Sequence, residues 1–481
     1  MLPTIATGNV ASAIGGAYEV ANSCRFNRPD SPRLVIANPT EGVREKGTFS
    51  TWFKKASGGT AQYLFSTWNN ATNGYSSSVI YFPSADDRLN VSNYVASGAS
   101  GHSTLITERV FRDPSAWYHL VVAWDTTDGT AADRYKIYVN GTRETVINGT
   151  PTYPTEDQEL FFQVGGTANP HHIGYQSTGS DTHYFDGYLA ETVYIEGNAL
   201  TASSFGEFDD DSPTIWKPKD VSGLTFGDEG FYLDYEDSGD LGDDESGNTN
   251  DFTETNLAAT DQSVDSPTNN FAIWNSAIPT NSTMVLTEGG LNGLTGSNYQ
   301  SSVSNNFFST IGVSKGKWFA EFKYVSSSQD EGSFIGIAYD INRHQRGNAD
   351  DSSANFCQER DEGWGYTPVG EVHNNGSTSG YTAHAPGDIL GVAMDLDNNT
   401  VNFYKDGSSA GDQVSIDADK EYFFALSDGT SSNTFLYSAN FGRPAYTESG
   451  GNSDANDYGN FSMAVPSGYF ALCTKNLAEY G

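Results

Sequence analysis

Short stretches of alternating apolar and polar residues recur from about residue 17 to residue 197, and again from about residue 271. They are separated by clusters of Gly, Asn, Asp and Ser, the residues that favour turns. Many short alternating runs at close spacing predict an all-β protein. The clearest predicted strands are TFSTWFK (48–54), SVIYF (78–82), WYHLVVAWD (117–125), YKIYVNG (135–141), YLAETVYIEG (188–197) and GKWFAEFKYV (316–325).

The segment WYHLVVAWD shows how these strands are expected to pack. Both of its faces are largely apolar, with alternate residues from Trp117 to Ala123 on one face and from Tyr118 to Trp124 on the other. A strand that is apolar on both faces is covered on both sides. We therefore predict antiparallel β-sandwiches, in which two sheets pack face to face.

Three further segments carry local signals. DILGVAMDLDNNTVNFYKDG predicts a hairpin that turns at Asn398 and Asn399. LTASSFGEF (200–208) predicts a short helix with Thr201 as its N-cap. The acidic stretch 447–461 is typical of a flexible linker, and the apolar residues that follow it predict a tail that docks on a domain.

Composition divides the chain further. No Lys or Arg occurs between Asp220 and Ser314, and Asp and Glu are concentrated at the start of this stretch. A run of like charge indicates a solvated surface or a connector, although interleaved aromatic residues argue against full disorder. The predicted layout is an N-terminal segment (1–16), a first sandwich (17–208), an acidic extension and connector (209–270), a second sandwich (271–446), and a linker with a docking tail (447–481).

The overall charge excludes several classes of function. The chain has 61 acidic and 25 basic residues, a formal net charge of -36. We expect no binding to nucleic-acid backbones, which requires clustered basic residues, and no attachment to anionic membranes. The N-terminus has no basic region followed by an apolar stretch, so we expect no signal peptide. No apolar run approaches the roughly 20 residues that a membrane-spanning helix needs.

Two families resemble parts of the chain. WYHLVVAWD, YKIYVNG and the later FDGYLAETVYIEG resemble the laminin-G and concanavalin-A-like jelly rolls over residues 17 to 200. GKWFAEFKY, GWGYTPVGEVHNNG, GDILGVAMDLDNNTVNFYKDG and YSANFGRPAY, in that order, resemble the SPRY domain over residues 300 to 446. These resemblances imply a tandem of two jelly-roll sandwiches, laminin-G-like and then SPRY-like.

A third resemblance covers the arrangement of the whole chain. GFYLDYEDSGDLGDDESGNTNDFTETNL, DSPTNNF and the closing SGYFALCTKNL are similar to segments of bacteriophage tail-fibre and appendage proteins, especially marine ones. The resemblance implies a virion structural protein that is made in the host cytoplasm. By analogy with fibres, residues 1–16 would dock to the particle.

Catalytic motifs are scarce. Glycosidases need two carboxyl groups about 5–10 Å apart at a groove. Asp395 and Asp397 have a suitable spacing but lie at the predicted hairpin, while Glu359 and Asp361 share a loop with Arg360. The sequence has no Glu-x-Asp-x-Glu strand. We therefore expect no enzymatic activity.

Calcium is the one cofactor that the acidic residues suggest. Asp240, Asp243 and Asp244 fall close together between glycines, and oxygen ligands at short intervals suit Ca²⁺. Asp181 and Asp186 could form a second site, because laminin-G-like domains often hold Ca²⁺ in their rim loops. The alternative, a solvated acidic turn without metal, stays open.

Recognition residues are expected in the loops, where function usually lies on a sandwich. In the first domain, loops rich in Asn, Tyr and His offer glycan contacts, since aromatic rings stack on sugars and amides bond hydroxyls; the candidates are Asn73, Tyr75, His171, His172 and Tyr175. The same residue types are also common in adaptable loops.

A loop of over 20 residues in the second domain offers a different surface. It holds a basic cluster suited to an acidic partner, Arg343, His344, Arg346 and Arg360. Local neutralisation of neighbouring Asp residues is the alternative. Trp364 is either a contact at the rim of this loop or part of the core.

Together these features predict a non-enzymatic tail or head fibre that binds a host-surface glycan or protein. We expect a homo-trimer that contacts other virion proteins, because several weak sites together give useful avidity. The alternatives are a capsid decoration protein that contacts other shell subunits, and a bacterial surface adhesin.

Overall fold

The structure is a computed structural model in which the chain forms two compact units, one ending at Thr268 and the other beginning at Asn269. Each unit is a sandwich of two largely antiparallel sheets, which confirms the predicted fold class. The described residues are 18–67, 76–84, 86–95, 101–177, 182–278, 284–295, 306–328, 332–344, 355–358, 361–429, 433–448 and 450–481.

The described part of the first unit contains strands β1 to β19. Their bounds are β1 Ser23–Phe26, β2 Arg33–Ile36, β3 Lys46–Lys55, β4 Gln62–Thr67, β5 Ser77–Phe82, β6 Arg88–Tyr94, β7 Ser103–Val110, β8 Tyr118–Asp125, β9 Tyr135–Val139, β10 Thr142–Arg143, β11 His171–Ile173, β12 Tyr175–Ser177, β13 Thr182–Tyr184, β14 Gly187–Glu196, β15 Gly206–Phe208, β16 Trp216–Pro218, β17 Phe231–Leu233, β18 Thr253–Thr255 and β19 Gln262–Ser263. Short 3-10 helices span Arg28–Asp30, Ala131–Asp133, Ala202–Ser204 and Ala259–Asp261.

Two large sheets form the first sandwich. The first has the order β10-β9-β8-β3-β14-β1-β19, with β17 beside β14, and the second has the order β18-β2-β11-β4-β5-β6-β7. The core between them includes Phe49, Phe65, Ile80, Val122 and Trp124. As predicted, β8 is buried on both faces: Val122 and Trp124 face this core, and Val121 belongs to a second apolar cluster.

That second cluster covers the outer face of the eight-stranded sheet. It joins strand residues such as Trp52 and Val121 to residues beyond the predicted first sandwich, including Trp216, Phe226 and Tyr232. Strands β17, β18 and β19 come from the same acidic stretch and pair with β14, β2 and β1. The stretch from 209 to Thr268 therefore lies within the first unit.

The described part of the second unit contains strands β20 to β34. Their bounds are β20 Val285–Thr287, β21 Asn292–Leu294, β22 Asn306–Phe308, β23 Lys317–Ser327, β24 Ser333–Ala338, β25 Gly363–Tyr366, β26 Glu371–His373, β27 Ser377–Ser379, β28 Ile389–Asp395, β29 Thr400–Lys405, β30 Ser408–Ser409, β31 Val414–Ser415, β32 Phe423–Asp428, β33 Phe435–Asn440 and β34 Phe470–Ala471. Helix α1 is Ile341–His344, helix α2 is Thr474–Tyr480, and a 3-10 helix spans Glu288–Gly290.

The second sandwich repeats the two-sheet plan. One sheet has the order β20-β21-β33-β23-β28-β29-β30, with β31 beside β29 and β34 beside β23, and the other has the order β22-β32-β24-β25-β26-β27. Strand β23 places alternate side chains from Trp318 to Tyr324 in the core. The predicted hairpin joins β28 to β29, where Asn399 takes a positive φ and the Asp395 carboxylate accepts a hydrogen bond from the Asn398 backbone (3.0 Å).

Two local predictions differ from the structure. LTASSFGEF does not form an α-helix: a 3-10 helix covers Ala202–Ser204, β15 follows it, and Thr201 makes no side-chain cap. The cause is Phe205, which belongs to the cluster on the outer sheet face, while Gly206 begins a pairing with β16. Tertiary packing here overrides a weak helix propensity.

The stretch 447–461 also differs from the expected flexible linker. Phe461 is fully buried against Phe319, with ring centroids 5.4 Å apart. The buried Asp454 carboxylate accepts hydrogen bonds from the backbone N–H of Tyr458 (3.0 Å) and Ala471 (2.9 Å). Acidic residues in this stretch therefore bind the chain to itself, and the docked tail continues through β34 into α2. No helix in the described ranges is long and apolar enough to span a membrane.

Candidate functional site

The outer face of the seven-stranded sheet and the neighbouring β12–β13 hairpin carry a row of aromatic and histidine side chains together with Arg33, which we call the tyrosine face. It consists of Arg33, Tyr63, Tyr81, Tyr94, His102, His172, Tyr175, His183 and Tyr184. Strand alternation explains most of it, since Ile80 and Phe82 point into the core and Tyr81 points outward. A β-bulge between Tyr63 and Phe65 changes the alternation in β4, so that Leu64 and Phe65 are both core residues.

One part of the tyrosine face is a chain of stacked rings. The Tyr63 ring stacks on Tyr81 (centroids 4.7 Å apart, planes within 10°) and on His183 (5.6 Å). The hydroxyls of Tyr81 and Tyr94 are 3.1 Å apart, and Tyr94 packs against His102 at 4.7 Å. Burial raises the pKa of the Tyr63 and Tyr81 phenols, so both stay neutral hydrogen-bonding groups at physiological pH.

The other part is centred on Tyr175. Its ring lies 5.0 Å from the Arg33 guanidinium carbon, 4.9 Å from the centroid of His172 and 5.0 Å from that of Tyr184. The ring is held by the β12–β13 hairpin, which folds over β4, where the Ser66 hydroxyl donates to the Tyr175 carbonyl (2.7 Å). Gly174 allows the turn into this hairpin: its φ is +77°, and a Cβ there would lie 2.5 Å from the Phe26 ring.

Polar atoms without partners accompany these rings. His172 is 8% exposed, and its Nδ1 has no hydrogen-bond partner in the described part of the chain. Burial, together with the charges of Arg33 and His171, lowers the pKa of His172 to about 3, so the ring is neutral. The Oε1 atom of the buried Gln176 also lacks a partner among the described residues. Such atoms are costly unless water or a ligand satisfies them.

The predicted glycan contacts of the first domain separate into three groups. His172 and Tyr175 come together on the tyrosine face. His171 does not: its Nε2 lies 3.2 Å from the Val164 carbonyl oxygen and its ring packs against the edge of Phe65, so it is a core residue. The physical reason is that neighbouring residues of a strand point to opposite faces. Asn73 and Tyr75 lie outside the described residues.

In the second domain, the prediction for Trp364 is corrected. The side chain is 4% exposed and packs between Tyr339 and Tyr422, so it belongs to the core. Alternation along β25 places Trp364 and Tyr366 on the face that packs into the core. Arg343 and His344 lie in α1, where only the backbone is described, and Arg346 and Arg360 are outside the described residues. The basic cluster therefore stays a prediction.

The acidic residues considered for calcium are bonded within the protein. Both Asp244 oxygens accept hydrogen bonds, from the N–H groups of Tyr232 (2.8 Å), Ser246 (2.9 Å) and Asn250 (2.9 Å). Asp186 is buried and accepts from Ser57 and from the Arg28 backbone.

The remaining acidic candidates repel one another. Burial, followed by the neighbouring charges of Glu254 and Asp251 respectively, raises the pKa values of Asp240 and Asp243. Asp181 lies outside the described residues. Within the residues that the structure describes, no three His, Cys, Asp or Glu side chains are placed to hold a metal ion.

Ser50 and His119 form a buried pair whose residue types are those of a nucleophile and its base. The Ser50 hydroxyl lies 2.9 Å from Nε2 of His119, and the Trp216 indole N–H donates to Nδ1 of the same ring (2.9 Å). Because indole can only donate, Nδ1 must be the acceptor, and the neutral ring carries its proton on Nε2. Burial lowers the pKa of His119 to about 3, which keeps the ring neutral. Nε2 therefore has no lone pair for the Ser50 proton, and the pair cannot work as nucleophile and base.

A cavity of about 330 Å³ lies beside Trp216. Its lining includes Tyr138, Phe208, Trp216 and Lys219. Phe208 is 43% exposed and packs edge-on against Trp216. The cavity is thus a second aromatic surface, but it lacks the continuous row of rings found on the tyrosine face.

Comparison with known proteins supports the fold of the first unit. Residues 35–204 match a laminin-G-type family model of the concanavalin A-like lectin/glucanases superfamily. Its description includes both binding proteins and enzymes, so the match does not choose between them. No curated protein matches the sequence.

Several solved structures are similar to parts of the chain. The SPRY domain of human HERC1 is 17% identical, over 33% of this chain and 92% of that one, with a TM-score of 0.25. A native heptameric SAP-like pentraxin from Limulus polyphemus is 20% identical, over 38% and 80%, with a TM-score of 0.28. The TRIM65 PSpry domain is 11% identical, over 35% and 89%, with a TM-score of 0.27. Similarities of this size carry no argument about function.

Proposed function

We propose that this chain is a non-enzymatic virion protein of a bacteriophage, a tail or head fibre, that binds a host-surface glycan through the tyrosine face. The observation that carries the proposal is the row of rings, partly exposed at Tyr81, Tyr94 and Tyr175, beside polar atoms that have no partner in the described part of the chain. Tyr and His side chains present an apolar ring together with a polar tip. A sugar offers the same combination, an apolar C–H face edged by hydroxyl groups.

The arrangement of buried carboxyl groups supports a binding role rather than hydrolysis. Glu191 and Glu321 are the buried carboxyl groups whose pKa values are raised furthest, to about 8 and about 7, chiefly by burial. Both are hydrogen-bonded inside packed regions, Glu191 to Tyr232 (3.0 Å) and Glu321 to the Met463 N–H (2.7 Å). A glycosidase needs two such groups that face one groove.

The virion assignment rests on the sequence resemblance to tail-fibre and appendage proteins. In this role the chain would be made in the host cytoplasm, assemble with other virion proteins and act as a homo-trimer. Several copies of a weak glycan site would then give firm attachment.

The glycan role is tested by binding of the purified full chain to a panel of immobilised bacterial surface polysaccharides. We expect Tyr81→Ala and Tyr175→Ala each to weaken binding about tenfold, since one ring contact is worth about 1.4 kcal/mol. The matched control is Tyr138→Ala, a partly exposed tyrosine of the other sheet in the same unit. Equal losses in all three variants, or binding unaffected by the first two, would contradict the proposal.

The virion role needs a separate test. An antibody raised against the chain should gold-label intact phage particles from lysed host cultures. Label on host cells but never on particles would remove this part of the proposal and favour an adhesin.

A further inference from the structure

We propose that the glycan bound at the tyrosine face is anionic, with Arg33 contacting its carboxylate or sulfate group while Tyr175 stacks on the adjoining sugar ring. This inference rests on the proposed function and adds the chemical class of the ligand. It depends on the surroundings of Arg33, on the neighbouring His172, and on the charge of the whole chain.

Arg33 differs from most other arginines of the first unit. Arg25 pairs with Asp261 (2.9 Å), Arg88 with Asp86 (2.6 Å), and Arg143 with Asp133 (2.9 Å). Arg33 has no carboxylate within ion-pair distance in the described part of the chain, although acidic residues outnumber basic ones by 61 to 25. It is partly exposed and lies over the Tyr175 ring. A guanidinium group in this state keeps its donors free for a ligand.

His172 supplies a second polar group at the same place. It pairs with Val35 in the sheet, two residues from Arg33 on the same face of β2. Its unpartnered Nδ1 is a hydrogen-bonding atom that the described protein leaves unsatisfied. The tautomer with the proton on Nδ1 would donate to an anionic oxygen. Arg33 and His172 thus both lie against Tyr175, Arg33 over its ring and His172 in a T-shaped ring contact.

The charge of the chain makes such a site selective. A net charge of -36 repels polyanions at long range, so non-specific attraction does not explain binding of an acidic glycan. Recognition has to come from contacts at hydrogen-bond distance. A guanidinium fork matches the geometry of a carboxylate or a sulfate, whereas a neutral hydroxyl uses only part of it.

The test uses matched probes and the full chain. The probes are hexagalacturonate, its fully methyl-esterified form, a sulfated galactan hexasaccharide and the corresponding unsulfated hexasaccharide, and binding is measured by calorimetry. We expect at least one anionic probe to bind about tenfold more tightly than its neutral partner. Preference within the first pair indicates a carboxylate ligand, and preference within the second pair a sulfate ligand.

The variants locate this preference. Arg33→Gln should abolish this preference, so that the anionic probe binds no more tightly than its neutral partner, and Arg33→Lys should keep part of it. Arg143→Gln, on the opposite sheet, is the matched control and should behave as the wild type. Unchanged melting temperatures would show that the variants are folded. If Arg33→Gln does not fold, Arg33→Lys serves as the test variant, because it keeps the positive charge over Tyr175.

The outcomes separate the two proposals. If neutral probes bind as well as anionic ones, or if Arg33→Gln leaves the preference intact, the inference about charge is wrong while glycan binding stands. If the chain binds none of the four probes and no polysaccharide of the immobilised panel, the proposed function itself fails.

Discussion

Each of the two sandwiches binds an additional segment through a buried glutamate, and the two use different hydrogen-bonding groups to do so. In each, a long strand of the larger sheet carries a buried glutamate on the face away from the central core, Glu191 in β14 and Glu321 in β23. In each, that carboxyl group binds a segment from outside the predicted sandwich. The two glutamates differ in the groups that donate hydrogen bonds to them. This difference determines which substitutions each position tolerates.

Glu191 is bonded by hydroxyl groups. It lies at a β-bulge with a φ of +48°, and its carboxyl oxygen is 3.1 Å from the Tyr18 hydroxyl and 3.0 Å from that of Tyr232. The two hydroxyls are also 3.2 Å from each other. Hydroxyls both donate and accept, so this cluster suits a protonated carboxyl group, in keeping with a pKa near 8.

In the described part of the chain, every group that donates a hydrogen bond to Glu321 is an N–H group. One oxygen accepts from the Met463 backbone (2.7 Å), and the other from the Ser462 backbone (2.9 Å) and the Asn440 side chain (3.1 Å). N–H groups only donate, so both oxygens have to be acceptors. An acidic sequence segment can therefore be firmly held in either unit. Burial raises the pKa of both carboxyl groups, to about 8 for Glu191 and about 7 for Glu321, and the hydrogen bonds lower it in both.

The largest expected effect concerns the segment that Glu321 binds. Phe461→Ala should lower the free energy of unfolding of the second unit by about 3–5 kcal/mol, because it empties a fully buried ring site. The matched control is Val325→Ala, at a 41% exposed position of β23, which should have little effect. Urea denaturation of the full chain measures both. A change below about 1 kcal/mol for Phe461→Ala would mean that the segment is not packed as described.

The isosteric pair Glu321→Gln and Glu191→Gln tests the comparison itself. Gln replaces one acceptor oxygen of Glu321 by an NH₂ group that faces N–H donors, so we expect a loss of about 2 kcal/mol. At position 191, Gln resembles the protonated carboxyl group and the tyrosine hydroxyls can adapt, so the loss at pH 7 should stay under about 0.5 kcal/mol. Losses of equal size would contradict the proposed difference in donors.

A smaller effect concerns pH. The folded-state pKa of Glu191 is raised from 4.5 to about 8, so between these values the folded state holds a proton that the unfolded chain releases. Stability of the first unit should therefore fall as pH rises from about 5 to 8 and then level off. Glu191→Gln should reduce this slope. Thermal melting of both proteins across that range measures it, and identical slopes would contradict the assignment.

Particular residues show which parts of the fold the sequence predicts. The alternation around Val122 and around Phe322 identifies the strands and the two-sided burial, because burial follows a period of two residues. The acidic segments were harder to predict, since whether Asp454 accepts backbone N–H groups or faces water depends on contacts distant in sequence. Trp364 likewise is a residue type common in binding surfaces, but its position in the fold makes it a core residue.

The tyrosine face shows the same limit at the candidate site. His172 and Tyr175 could be named from loop composition, but Arg33, Tyr63 and Tyr81 lie in strands and were missed. The alternation in SVIYF places Tyr81 and Ile80 on opposite faces of the strand, but it does not show which face belongs to the core. For Tyr63 a bulge changes the alternation, and only the sheet pairing reveals it.

The most direct test of the central claim is hydroxyl-radical footprinting of the full chain with and without the tightest-binding glycan of the panel. Mass spectrometry would report the oxidation of each tyrosine. The account predicts protection of Tyr81, Tyr94 and Tyr175, with no change at Tyr138 on the opposite sheet or at Tyr404 in the second unit. Protection confined to the second unit, or to the cavity beside Tyr138, would contradict binding at the tyrosine face.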